Sequence, residues 1–168
     1  GSAPLKFTGS VDQRIVSGGS TLNNVEIDNS VSVTLQDATT IGGTLTLTTG
    51  ILNTNDNILT MTSTTTGDLS GYSNTRFIIA SRDGPFRRHI ASNTNTYTFP
   101  VAVGSASSEY YRMDLVNGSL SGNGFTYLDV YVKTNAETGN NIDSRITATQ
   151  GGTPIYDIWD KEWMIEPD

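Results

Sequence analysis

Short stretches of alternating apolar and polar residues recur through the first part of the chain, and they constrain the fold more than any other feature. The clearest lie at residues 31–35, 45–48 and 58–61, and turn-forming segments such as Gly42-Gly43 and residues 53–57 separate them. Successive side chains of a strand point to opposite faces, so each stretch has an apolar face and a face of Thr or Ser. The pattern predicts β-strands, and no window has the apolar spacing of an amphipathic helix.

The even spacing of these stretches predicts a parallel β-solenoid. Leu35, Leu47 and Leu59 are twelve residues apart, as expected when each short strand forms one side of a coil. An antiparallel meander of hairpins is the alternative. Thr, Ser, Asn and Gly make up 73 of the 168 residues, and they favour pleated surfaces and tight turns. Because apolar residues alternate with them, the chain can bury a core and need not be disordered.

The chain changes character near residue 68, where aromatic residues become frequent and the predicted strands lengthen. We therefore expect an all-β chain in which residues 1–19 are a tag remnant and lead-in, and residues 20–68 form solenoid coils. Residues 69–168 would form a β-sandwich-like or β-helical cap, in one cooperative unit with the coils. Strands are predicted after residue 68 at 76–81, 86–90, 97–101, 110–116, 125–133, 145–149 and 155–159.

Both ends of the sequence suggest a segment excised from a longer exported protein. Gly1-Ser2 is typical of a cloning remnant, and the chain stops just after the apolar stretch at 163–165. The absence of Cys favours a cytosolic or bacterial source over a eukaryotic secreted one. The Thr, Asn and Gly bias favours a bacterial extracellular protein. No apolar run approaches the roughly 18 residues of a membrane helix, so no membrane insertion is expected.

The charge distribution argues against nucleic acid as a partner. The net charge is −7, whereas nucleic-acid binding draws most of its affinity from neutralised phosphates and usually needs a basic surface. Positive charge is concentrated between residues 76 and 112, a segment that contains five Arg and only two acidic residues. This Arg group is expected to pair with the acidic C-terminal third of the chain.

Several segments together resemble the coil repeat, and the β-rich region that follows it, in very large surface proteins of Bacteroidetes. The segments that carry the resemblance are residues 42–54, 57–61, 83–88, 97–104, 110–112 and 160–163. The resemblance covers roughly residues 20–165, and its motifs are structural and degenerate. It implies export, often by type IX secretion, and a role in adhesion, gliding or polymer capture.

Enzymatic chemistry is not expected. His89 is the only His and there is no Cys, so a nucleophile with an oriented base is hard to assemble. A polysaccharide lyase would draw on Arg87, Arg88 and Tyr110, but the coil is too short for a typical substrate groove. We therefore predict no catalytic residue. Alternation places Arg87 and His89 on one strand face and Arg88 on the other.

No cofactor is predicted, and calcium is left open. Asp56 within residues 53–57 and Asp143 within residues 140–143 could supply the hard oxygen ligands that calcium prefers. Ordinary Asx-turns explain both segments better.

The candidate ligand-binding residues are aromatic side chains, a carboxylate and two arginines. Tyr127, Asp129 and Tyr131 share one face of a strand, and we expect this face to meet solvent and form a binding strip. Tyr110 and Tyr111 are adjacent, so one must point out of the sheet while the other points in. The remaining candidates are Arg87 and Arg88, which could attract acidic glycans. Cross-strand packing is the structural explanation for all of these side chains.

Taken together, the sequence predicts a non-catalytic structural or adhesive module of a bacterial secreted or cell-surface protein. The alternative is a carbohydrate-binding module attached to an exported polysaccharide-active enzyme. Polysaccharide, another surface protein and neighbouring domains of the same chain are the expected partners.

Overall fold

The computed structural model describes residues 3–91, 95–116, 126–134 and 161–167, the last two positions of the third range and all of the fourth as backbone alone. The chain is all-β, and its parallel strands form a β-solenoid of about five turns. The strands are β1 (Leu5–Gly9), β2 (Gln13–Ile15), β3 (Thr21–Leu22), β4 (Val25–Leu35), β5 (Thr39–Ile41), β6 (Leu45–Asn53), β7 (Leu59–Met61), β8 (Leu69–Ser70), β9 (Ile78–Ile79), β10 (Phe86–His89), β11 (Thr96–Ala102), β12 (Tyr110–Val116), β13 (Tyr127–Thr134) and β14 (Lys161–Pro167). Two three-residue 3-10 turns lie at Thr66–Asp68 and Ser107–Glu109. No helix in the described ranges is long and apolar enough to cross a membrane.

Two sheets face each other across the core. The first has the order β1-β4-β6-β9-β11-β12, with β2 also beside β4 and β8 also beside β6. The second has the order β14-β13-β10-β7-β5-β3. Strands of successive coils pair in parallel, as in β1 with β4 and β4 with β6. The solenoid prediction is therefore confirmed over the hairpin meander.

The coil is longer than the leucine spacing suggests. Leu5, Val25 and Leu45 are in register on β1, β4 and β6, so the first coils each take 20 residues. Leu35, Leu47 and Leu59 lie on three different strands and do not stack on one another. Their twelve-residue spacing is therefore not the length of one coil, because one coil carries several inward-facing positions on both sheets.

Inward side chains form columns that run from coil to coil. One column consists of Val25, Leu45 and Leu69, each at most 4% exposed. Between inward positions the Thr side chains point outward, and Thr46 and Thr60 are half-buried there. Burying one large aliphatic side chain contributes about 1.5–3 kcal/mol. The repeated columns therefore provide most of the stabilisation of the coil.

The coils turn at a corner that Asn29 and Gly50 occupy. Asn29 is fully buried, and its Nδ2 donates to the carbonyl oxygen of Val11 (2.7 Å) and to Gln13 Oε1 (2.9 Å). Gly50 has φ 78°, and a Cβ at this position would overlap the carbonyl oxygen of Asn29. The corner therefore requires glycine both for its backbone conformation and for the close approach of the next coil.

Parallel pairing continues beyond residue 68. β8 and β9 pair in parallel with β6, β10 with β7, and β11 with β9. Antiparallel pairs then appear, as β12 joins β11, β13 joins β10 and β14 joins β13. The described residues after 68 thus first extend the coil and then add antiparallel strands to both sheets. The strands predicted at 145–149 and 155–159 lie outside the described residues, and the division into domains stays a prediction.

Candidate functional site

The outward face of β10 and β13 carries a charged and aromatic cluster made of Arg87, His89, Tyr127 and Asp129. β10 and β13 pair antiparallel, which sets Arg87 opposite Asp129 and His89 opposite Tyr127. Arg87 donates two hydrogen bonds to Asp129, from Nε to Oδ1 and from Nη2 to Oδ2, and both are 2.6 Å long. The guanidinium carbon lies 3.9 Å from the centre of the Tyr127 ring, and the His89 ring stacks on Tyr127 at 6.0 Å. The four side chains bind one another.

The solvent-facing strip predicted on β13 is wrong at two of its three positions. Asp129 is only 6% exposed and Tyr131 only 2%, while Tyr127 is half-buried. β13 lies between β10 and β14 and is therefore not an edge strand. Arg87 of β10 covers Asp129 and the Tyr127 ring. Little of this face is left for stacking against a sugar.

Arg88 is not a surface ligand, because it occupies a core position. Its register partners on either side are Met61 and Leu128, and its exposure is 0%. Alternation along β10 places it inward while Arg87 and His89 point outward, as the sequence predicts. In the described part of the chain no carboxylate forms an ion pair with it, and its Nε has no hydrogen-bond partner. The expectation that Arg88 attracts an acidic glycan is therefore wrong.

The Arg88 guanidinium binds a backbone carbonyl of β11 at a position that β9 does not reach. β9 pairs only with Val101 and Ala102 of β11. β11 begins at Thr96, so β9 does not reach residues 96–100. Arg88 Nη1 donates to the carbonyl oxygen of Thr98 (3.0 Å), and its guanidinium carbon lies 5.3 Å from the centre of the Tyr97 ring. Burial lowers the pKa of Arg88, although arginine still stays charged in proteins.

Tyr110 and Tyr111 point to opposite sides of β12, as their adjacency predicts. Tyr111 packs against the core. Tyr110 points outward and stacks on the buried Phe77 with ring centres 5.6 Å apart. Arg112 and Asp114 follow on the outward face of β12 and are both exposed. We call Tyr72, Tyr110, Arg112 and Asp114 the β12 patch.

One continuous network holds the β12 patch together. Arg112 donates to Asp114 from Nε (3.1 Å) and pairs with it through Nη2 (2.8 Å). Asp114 Oδ1 also accepts a hydrogen bond from Thr98 Oγ1 (2.6 Å). The guanidinium carbon of Arg112 lies 5.6 Å from the centre of the Tyr72 ring, and the hydroxyl of Tyr72 reaches Thr98 Oγ1 at 3.4 Å. The hydrogen bond that Arg112 donates to Asp114 raises the pKa of Arg112, whereas burial is the main cause of the raised pKa of Tyr110.

The calcium candidate at residues 53–57 is an Asx-turn. Asn53 Oδ1 accepts the backbone N–H of Asn55 (2.9 Å), and Asp56 Oδ1 accepts a hydrogen bond from Ser81 Oγ (2.6 Å). Asn55 and Asp56 both have positive φ, which Asn and Asp tolerate better than most residues. Within the described ranges no group of three acidic or His side chains could hold a metal ion. The second candidate, at residues 140–143, lies outside those ranges.

Comparison with known proteins identifies no relative. No protein-family model, no curated protein and no solved structure matches the chain. The resemblance to surface proteins of Bacteroidetes therefore stays a prediction.

The ligand-binding candidates selected from the sequence include Tyr110 but not the other three members of the β12 patch, Tyr72, Arg112 and Asp114. Arg112 and Asp114 had a signal, because alternation from Tyr110 puts both on its face of the strand. No local pattern places Tyr72 beside them, because it lies in the segment after β8, far along the chain from β12, and the coil brings the two segments together.

Proposed function

We propose that this chain is a non-catalytic structural or adhesive module of a bacterial secreted or cell-surface protein. The observation that carries the proposal is that charged side chains of the described coils bind one another between coils. Arg87 and Asp129 do so on one sheet. On the other sheet, Lys6 of β1 pairs with Glu26 (3.0 Å) and Asp28 (2.9 Å) of β4.

Such contacts suit a stiff support. Thr48 of the third coil donates to Glu26 (2.8 Å), so the bonding continues from the first coil to the third. The hydrogen bond from Lys6 is the main cause of the lowered pKa of Glu26. Exposed ion pairs contribute little individually, but networks of several charges contribute more. A coil tied together in this way can separate or present neighbouring domains.

The remaining parts of the proposal are the compartment and the partners. Export to the cell surface or medium is consistent with the lack of Cys and the Thr-rich, Lys-poor composition. The partners would be a polysaccharide, a second surface protein or the neighbouring domains of the same polypeptide.

Two assays on the purified chain test the proposal. In the first, the chain is incubated with a panel of neutral and acidic polysaccharides, and new reducing ends and unsaturated products are measured. We expect none, and reproducible turnover would contradict the proposal. In the second, beads coated with the chain are tested for attachment to surfaces carrying polysaccharides or bacterial envelope proteins, with beads carrying heat-unfolded chain as the control. Attachment by the folded chain alone is the expected result for an adhesive module.

A carbohydrate-binding module is the second candidate function. The observation that favours it is the outward position of Tyr110, whose ring lies on Phe77 beside the exposed Arg112. The β13 strip that first suggested this function offers less, because Asp129 and Tyr131 are buried.

A further inference from the structure

We infer that the β12 patch is a binding site for a neutral polysaccharide of pyranose sugars. The inference rests on the proposed adhesive function and names the surface and the ligand class that would carry it. Its basis is the juxtaposition of two half-buried tyrosines with an exposed Arg–Asp pair on the outward face of β11 and β12.

The patch and Thr98, which is hydrogen-bonded to it, come from three separate segments. The turn after β8 supplies Tyr72, β11 supplies Thr98, and β12 supplies Tyr110, Arg112 and Asp114. Two of these segments are paired strands, with Thr98 opposite Asp114 in the register of β11 and β12. Strands hold side chains more precisely than loops do, so the patch loses little conformational entropy when a ligand binds.

The ring of Tyr110 is supported from behind. Phe77 is only 1% exposed and lies under it with ring planes 27° apart. Because Phe77 fixes one face of the Tyr110 ring, the exposed part of that ring has a defined orientation. The C–H groups on one face of a pyranose carry partial positive charge and pack against the negative face of an aromatic ring. Tyr110 can accept one sugar in this way.

Arg112 and Asp114 supply hydrogen bonds for the hydroxyl groups of that sugar. The guanidinium has five N–H donors, of which the bonds from Nε and Nη2 go to Asp114. Its Nη1 has no hydrogen bond within the described part of the chain, and the side chain of Arg112 is 49% exposed. The side chain of Asp114 is 35% exposed, and its carboxylate can accept from a second hydroxyl. A donor and an acceptor side by side match the adjacent hydroxyls of a pyranose.

The charge of the patch points to a neutral ligand. Arg112 and Asp114 neutralise each other through two close contacts, and the chain as a whole carries −7. A polyanion would be repelled by the protein at long range and would have to displace Asp114 from Arg112. A neutral polysaccharide faces neither cost.

Isothermal titration of the intact chain with hexasaccharides tests the inference. The neutral probes are cellohexaose, xylohexaose and mannohexaose, and the acidic probe is hexagalacturonate. We expect binding of at least one neutral probe, weakened about tenfold or more in Tyr110→Ala and in Arg112→Ala, a loss of about 1.4 kcal/mol. The matched control is Arg82→Ala, which removes an exposed arginine outside the patch and should leave the affinity unchanged. Circular dichroism of each variant establishes that it is folded.

Each outcome decides the inference. Absence of binding to all neutral probes, or binding of hexagalacturonate alone, overturns it. Equal weakening by Arg82→Ala and by Arg112→Ala overturns it as well. If Tyr110→Ala does not fold, Arg112→Lys provides the second variant. Lysine keeps the positive charge but cannot make the two contacts with Asp114 that Arg112 makes through Nε and Nη2. We expect weaker binding at an unchanged melting temperature. Bead attachment that persists in Arg112→Ala would refute the patch while leaving the adhesive function in place.

Discussion

Arg88 is an arginine in a column of apolar side chains, and its replacement tests how the coil is held together. Met61 is its neighbour on β7 and Leu128 its neighbour on β13. Replacement by Ala removes a fully buried side chain and leaves a cavity between the two sheets. Replacement by Met keeps an unbranched apolar stem of similar reach and removes only the guanidinium.

The structure allows the two costs to be separated. The difference between the Met and the Ala variants reflects buried volume, and truncation of Met to Ala in a core costs about 2–5 kcal/mol. The guanidinium contributes a hydrogen bond to the Thr98 carbonyl and a contact with the Tyr97 ring, worth about 1.5–3 and about 2 kcal/mol respectively. Desolvation of the buried charge costs several kcal/mol in the opposite direction. We therefore expect Arg88→Met to lie within about 1 kcal/mol of the wild type, and Arg88→Ala to lie about 3 kcal/mol below it.

Urea unfolding followed by circular dichroism measures these free energies of unfolding. Arg82→Ala is the matched control, because Arg82 is exposed and a surface substitution usually changes stability by less than about 0.5 kcal/mol. An Arg88→Ala variant as stable as Arg82→Ala would refute the core position of Arg88. Met and Ala variants of equal stability would refute the argument from volume.

Two further predictions concern the first coils of the solenoid. Gly50→Ala forces a side chain into the left-handed region and against the Asn29 carbonyl, so we expect at least about 2 kcal/mol of destabilisation by urea unfolding; Gly67→Ala, where a Cβ meets nothing within 4 Å, is the control and should be nearly neutral. Asp37 accepts the backbone N–H of Ser17 (2.9 Å) and of Gly18 (2.6 Å), and the bond from Ser17 is the main cause of its lowered pKa. A lowered folded-state pKa stabilises the fold above the ordinary value near pH 4, and this stabilisation disappears as the pH falls through the lower value. Asp37→Asn should therefore melt below the wild type at pH 7 and approach it at pH 2, and a gap in melting temperature that is the same at both pH values would argue against this role.

The coil could be predicted from the sequence because its signal is local. Alternation over three to five residues identifies the inward face, and the inward positions Val33, Leu45 and Leu59 are all fully buried. The length of the coil could not be predicted in this way, since it depends on how many strands fit between two stacked positions. The corner at Gly50 shows the difference. Glycine signals a turn there, but only the stacked coils reveal that Asn29 lies against it.

The candidate binding residues were harder to predict, because alternation gives the face of a strand and not what covers that face. Tyr127, Asp129 and Tyr131 do share one side of β13, yet Arg87 from the neighbouring strand lies over Asp129. The prediction for Arg88 was wrong for the opposite reason. An arginine in a strand is expected at the surface, but the part of β11 that β9 does not reach offers its guanidinium a carbonyl inside the core.

The position of the β12 patch connects the structural and the adhesive parts of the proposal. β12 ends the path β1-β4-β6-β9-β11-β12, five strand-to-strand steps from β1. At about 4.8 Å a step, the patch lies roughly 24 Å from the first coil. The ion pair of Lys6 with Glu26 joins β1 to β4, and the buried column of Val25, Leu45 and Leu69 continues from β4 to β8. Force applied to a ligand on Arg112 would thus be carried through strand pairs stacked along the coil axis. Weakening the coil at Gly50 should leave the intrinsic affinity of the patch unchanged and reduce the load that attached beads withstand.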